Sequence, residues 1–217
     1  MKLCYRCALV LTTLSFLSIT LPALTPKEAK TIYDADTLKV RAGDIQFDWK
    51  EYRLAAETAG VEGSFDWHPV RNLCMKQMQS GDFVAALKSA DEIKNHNMAW
   101  AEGHLLAMMV FQKMGRQQDA TFEHNVVAAY LKSITDSGDG RTNDTAYFVV
   151  NVDEEYFFLN IAMGVGFPAS QSLVENNGHA FDLMKVKTED GKEQEVWFNT
   201  DTSMNAMRDA IEGSKKK

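Results

Sequence analysis

The chain has 217 residues, with 23 basic and 30 acidic side chains and a formal net charge of −7. An acidic balance argues against nonspecific nucleic-acid binding, which needs a basic face to displace counterions from phosphates. With 3 cysteines in all, two of them at Cys4 and Cys7, a disulfide-built scaffold is excluded as well.

The first residues read as an export signal. Lys2 and Arg6 supply a positive start, an uncharged apolar stretch runs from Ala8 through Leu17 and Ile19, and Leu21, Pro22 and Ala23 close it with a small residue at the cleavage position. Residues 1–23 are therefore expected to be removed, with the cut just after Ala23. The product is an exported protein, periplasmic or secreted, with no membrane segment of its own. A retained anchor is the competing reading, since about 18 apolar residues can cross a bilayer; the serines and threonines within the stretch favour cleavage. Cys74 then stands alone among Leu73, Met75 and Met78, as a buried apolar thiol would.

Residues 24–44 are polar and mixed, and are read as a linker leading into one α+β domain over 45–213. Its helical half is expected at 45–135 and its sheet-containing half at 136–213. Phe47, Tyr52, Leu54, Ala55 and Ala59 fall near helical spacing, and Gly60 and Gly63 stop that segment. An aromatic turn, Phe65 to Pro69, precedes a second helix over Val70 to Met78, with His68 extended because a proline follows it.

Residues 82–135 carry the clearest helical pattern, in three segments broken at Asn95 to Asn97 and at Gly115. Phe83, Ala86, Leu87, Ala90 and Ile93 form one stripe. The next helix is apolar on two sides: Ala101, Leu105, Met108 and Met109 on one, Trp100, Ala107, Phe111 and Met114 on the other, as befits a helix with neighbours on both flanks. Ala120, Val127, Leu131 and Ile134 form the third stripe, with His124 read as a core histidine. Gly81 and Gly115 share a 34-residue period with Ala86 and Ala120, the tetratricopeptide spacing. The register then decays, which predicts degenerate tetratricopeptide-like helix pairs too few to form a solenoid, so another layer must cover them.

That layer is the C-terminal third. Asp136 to Gly140 is a polar stop; Tyr147 holds the twelfth place where a calcium loop needs glutamate. Ala146 to Val150 reads as a buried strand. A helix follows from Val152 to Met163, with Asn151 as N-cap and Glu154 as the reciprocal capping acid. Asn177 with Gly178 marks a type I′ hairpin, and Asp190 with Gly191 a second turn, which yields a small antiparallel β-sheet. A C-terminal helix from Thr200 or Asp201 closes the chain, with Met204, Met207 and Ile211 as its stripe.

Val152, Asp153, Glu154, Glu155, Tyr156, then Gln171 to Val174, Gly178 to Asp182, and Trp197 to Asp201, in that order and spacing, resemble the domain-of-unknown-function family 4919. The likeness extends over about Asp44 to Ile211. It implies an exported bacterial protein with a helical and a mixed half, and the family carries no assigned activity to transfer.

Candidate chemistry is sparse. Glu154, Glu155, His179, Asp182 and Asp201 could form a catalytic acid/base cluster, although carboxylates at a helix start also serve the helix dipole, and His179 and Asp182 point to opposite faces of a strand. Trp100, His104, Phe111, Gln171, Ser172 and Asn199 are the binding candidates; Ser172 lacks the setting of a nucleophile elbow. His68, His96, His104 and His124 form no paired metal motif, and no cofactor is called for. The leading reading is a peptide- or protein-binding module of the cell envelope that uses the helical-repeat face; the alternative is a small hydrolase or acid/base enzyme. The oligomeric state is open.

Overall fold

The computed structural model describes residues 24–215; the expected signal, residues 1–23, lies outside them. The stretch read as a linker is a helix, α1 (Pro26–Arg41), started by a complete Thr25/Glu28 capping box with a proline in its first turn. Ala29, Tyr33 and Val40 are buried along one side of it. That stripe is interrupted by Asp36, which is why the segment passes for a polar connector.

α2 (Trp49–Thr58) is capped by the Asp48 carboxylate and packs on α1, where Tyr33 and Tyr52 stack with ring centres 5.4 Å apart. α3 (His68–Ser80), α4 (Phe83–His96), α5 (Ala101–Lys113) and α6 (Gln117–Thr135) then follow as successive packed neighbours. His68 opens α3 rather than standing extended before it. The Asp66 carboxylate accepts the His68 N–H at 3.0 Å, and Pro69 sits in the first turn, where no N–H is needed. α3 ends at Gly81 with φ 81°, a left-handed cap that glycine takes without steric cost. Gly103 answers a different need, since a Cβ there would meet Lys94 Cγ at 2.7 Å across the α4/α5 contact.

α6 buries Ala120, Glu123, Val126, Val127, Tyr130 and Ile134, and leaves His124 exposed. His124 sits one helical step off the buried stripe, so the core-histidine reading is corrected.

After a 3-10 turn at Asn143–Thr145 come β1 (Tyr147–Phe148), α7 (Val152–Ile161), β2 (Ser170–Asn176), β3 (His179–Lys187), β4 (Glu193–Asn199) and α8 (Asp201–Lys215). The strand order is β1-β4-β3-β2. β2, β3 and β4 form the antiparallel meander, with Asn177 (φ 51°) and Gly178 (φ 82°) at the first turn as a type I′ hairpin requires. β1 pairs parallel to β4, so the sheet is mixed rather than antiparallel. The reason is topological: the chain passes through α7 before the meander and returns beside β1 in the same direction.

Two apolar cores result. One lies among α3, α4 and α5 and is built from Cys74, Ala86, Ala90, Ile93, Leu106, Ala107 and Val110. The other joins α1, α2, α6 and α7 to the inner face of the sheet, where Phe158 meets Phe198 edge to face at 6.0 Å. On α8, Met207 and Ile211 remain about half exposed, 53% and 48%, so the expected stripe is not an inward one.

Candidate functional site

The predicted acid/base cluster separates into three distinct pairings. Glu154 is buried and binds Arg53 of α2, itself 1% exposed. Glu154 also accepts the Val150 N–H at 2.9 Å, so its side chain serves α2 and the segment after β1 instead of closing a reciprocal cap on Asn151. Arg53 donates from Nε to Ser133 Oγ at 3.0 Å and lies 5.3 Å from the Tyr130 ring centre. One pairing therefore ties α2, α6 and α7 together.

Glu155 faces the sheet. It is fully buried, and neither of its carboxyl oxygens has a hydrogen-bond partner among the described residues. Burial, reinforced by the Asp182 carboxylate beside it, pushes its pKa up to about 9. The group is thus a neutral acid at pH 7 beside the Asp182 carboxylate. The Asp182 carboxylate accepts Gln171 Nε2 at 2.5 Å, and Gln171 Oε1 in turn accepts the Tyr156 hydroxyl at 2.8 Å. This chain of groups runs from the interior to a side chain that lines a cleft.

The third pairing is His179 with Asp201, 2.6 Å apart, on the surface. Asp201 accepts the Ala180 N–H at 2.8 Å and Asn199 Nδ2 at 3.3 Å. Burial raises its pKa, but the bonds from Ala180, His179 and Asn199 outweigh that and hold it below the usual range. The arrangement fastens the start of α8 to β3.

The binding candidates scatter too. His104 is in the core: Nδ1 faces Glu123 at 2.5 Å and Nε2 faces the Met98 carbonyl at 3.0 Å, so both ring nitrogens are occupied. Phe111 is 8% exposed in the helical core beneath Arg116. Ser172 is exposed on β2. Gln171 and Asn199 serve the two pairings just described. His104 borders a cavity of about 380 Å³, and Trp100 lines a larger one.

That cavity is a cleft of about 720 Å³ between the N-terminal ends of α3 and α5 on one side and α7 on the other. Trp67, Trp100, Tyr156, Phe157 and Phe167 give it aromatic walls. Trp67 is oriented across the gap, its indole N–H donating to Asp153 Oδ2 at 3.0 Å. Arg71 and Glu102 pair at 2.6 Å along the helical wall. Burial first, then the nearby Glu57 and Asp153 charges, pushes Glu62 up to about 7, and Glu57 is raised by burial and by the neighbouring Glu154 and Asp153. Carboxylates are therefore crowded beside the start of α7, and Asp153 has no cationic partner among the described residues. The Phe65 to Pro69 turn was the sequence signal for this wall; Phe167, 86% exposed on a loop, gave none.

Fold and cleft together define an α+β protein in which α3 and α5 face α7 across an aromatic groove. Over residues 68–208 the chain matches the domain of unknown function DUF4919, and it belongs to that family. The match opens at α3, so α1, α2 and Trp67 lie outside it, while the other residues that line the cleft, His68 to Phe167, lie within it. Neither curated proteins nor solved structures give a match.

Proposed function

We propose that this chain is an exported peptide-binding module and that the cleft between α3, α5 and α7 holds an extended segment with aromatic or apolar side chains and a basic one. The observation that carries the reading is the Trp67 to Asp153 bond across the gap. It holds an indole face and an unneutralised carboxylate side by side, and a lysine or arginine side chain is attracted to both. Cavities of this size with aromatic walls and a few polar groups are the usual form of a ligand site. The paired helices behind the cleft, at tetratricopeptide-like spacing, suit the same role, and the apolar N-terminal stretch suits export. The hydrolase reading has less behind it, because its five residues fall into three pairings and neither Glu155 nor Asp182 lines the cleft.

Selection of displayed random peptides on the protein tests this. Basic-aromatic peptides are expected to enrich, and to bind Asp153→Asn and Trp100→Ala variants about 10-fold or more weaker, the loss of roughly 1.4 kcal/mol or greater that a central contact causes. Peptides that bind both variants as well as the parent protein would sink the proposal.

A further inference from the structure

β2 ends the sheet, bonded to β3 on one side and to no described strand on the other. Folded proteins protect such edges with prolines, lysines, bulges or extreme shortness. The opposite edge conforms, since β1 is two residues long and the Gly140 carbonyl accepts the Trp197 N–H at 2.9 Å beside it. β2 carries no proline or lysine and is not short. It runs Ser170–Asn176 in unbroken register with β3, has Glu175, bonded to Arg208 of α8 at 3.2 Å, as its one charged residue, and leaves Leu173 54% exposed.

The direction of its backbone groups follows from β3. Thr200 N–H donates to the Ala180 carbonyl at 2.9 Å, which turns the even-numbered residues of β3 toward β4 and the odd-numbered ones toward β2. Phe181, Leu183 and Lys185 stand opposite Val174, Ser172 and Ser170, so those β2 residues use their main-chain groups on β3. Gln171, Leu173 and Glu175 direct theirs outward.

We infer that this edge pairs with itself: two copies of the chain join antiparallel about a twofold axis through Leu173, continuing the sheet from one copy into the other. In that register Leu173 faces Leu173, and Gln171 faces Glu175 of the second copy. Each facing pair consists of residues with outward groups, so it exchanges both main-chain bonds. A slip of one residue sets outward groups against inward ones. A slip of two places Glu175 against Leu173 and leaves Gln171 unpaired. The Leu173 register is thus self-complementary, as a twofold interface must be, and it opposes no like charges, while Gln171 keeps its bonds to Asp182 and Tyr156 and Glu175 its bond to Arg208 within each copy.

Strand pairing alone buries less than the roughly 1,000 Å² of a permanent interface, so the association is weak and depends on concentration. Amide exchange on ¹⁵N-labelled protein, run beside sedimentation from about 10 μM to about 1 mM, covers the range of weak association. The mass is expected to rise toward double. The amides of Gln171, Leu173 and Glu175 are expected to slow about 10-fold or more while those of Ser172 and Val174 stay as they are, since only bonded amides gain protection. Leu173→Pro removes one outward N–H and spares the β3 ladder; Leu173→Lys sets two like charges face to face. Both variants are expected to stay monomeric, the second serving if the first misfolds. A chain still single at about 1 mM, or a dimer whose slowed amides lie elsewhere, overturns the inference. So does an edge that becomes protected only when another protein is added.

Discussion

The two cores bury comparable side chains by different means. The helical core of α3, α4 and α5 is alanine, cysteine and branched aliphatic groups in close contact. The core between α2, α6, α7 and the sheet encloses Arg53, Glu154, Glu155 and Asp182. Apolar packing tolerates pH and substitution in small increments. A seam of buried ionisable groups responds more steeply, because each charge depends on specific partners that water cannot replace.

The largest expected effect breaks the seam. Arg53→Met leaves Glu154 buried without its cation and should cost about 3–5 kcal/mol in urea unfolding; a loss under about 1 kcal/mol would mean that Glu154 is solvated or neutral in the native state. Glu155→Gln acts in the opposite direction. A carboxyl raised from 4.5 to about 9 keeps its proton in the folded state when the unfolded chain has lost it. Parent stability therefore falls as pH rises from 4.5 to about 9 and levels off above. Glutamine stays neutral at every pH, so the variant should lose most of that slope and gain about 1–3 kcal/mol at pH 8. Parallel pH profiles for the two proteins would refute the neutral-acid assignment.

The smallest effect belongs to the helical core. Gly115→Ala forces a Cβ onto a residue at φ 72°, with nothing within 4 Å of the added atom. It should cost about 1–2 kcal/mol, alike at pH 5 and pH 8. A pH-dependent loss would show that the two cores are coupled.

What the sequence reveals follows the same division. The α4, α5 and α6 boundaries, the Gly81 and Gly115 breaks and the Asn177 hairpin are legible because helix period and turn chemistry are local. Glu154 and Glu155 are adjacent in sequence, yet α7 sends one to Arg53 and the other to Asp182. Only the packing of α2 and β3 around the helix decides that. Asp153 looked like a helix-start carboxylate and proved to be a wall of the cleft through Trp67, far away in sequence. α1 was missed for a related reason, since its buried side includes Tyr33, whose hydroxyl accepts the Met98 N–H at 2.9 Å, a contact that no window of nearby residues contains.

The parallel partnership of β1 with β4 bears on the order in which the chain becomes ordered. The meander closes through short turns and can assemble from neighbouring segments at little entropic cost. β1 must wait until α7 and all three meander strands have been made, because the strand it lies beside is the last of them. The helical layer can therefore be complete while the sheet still lacks its far border. Docking of Tyr147 and Phe148 is then the event that locks the two layers together, and late ordering at those two residues is the kinetic mark it should leave.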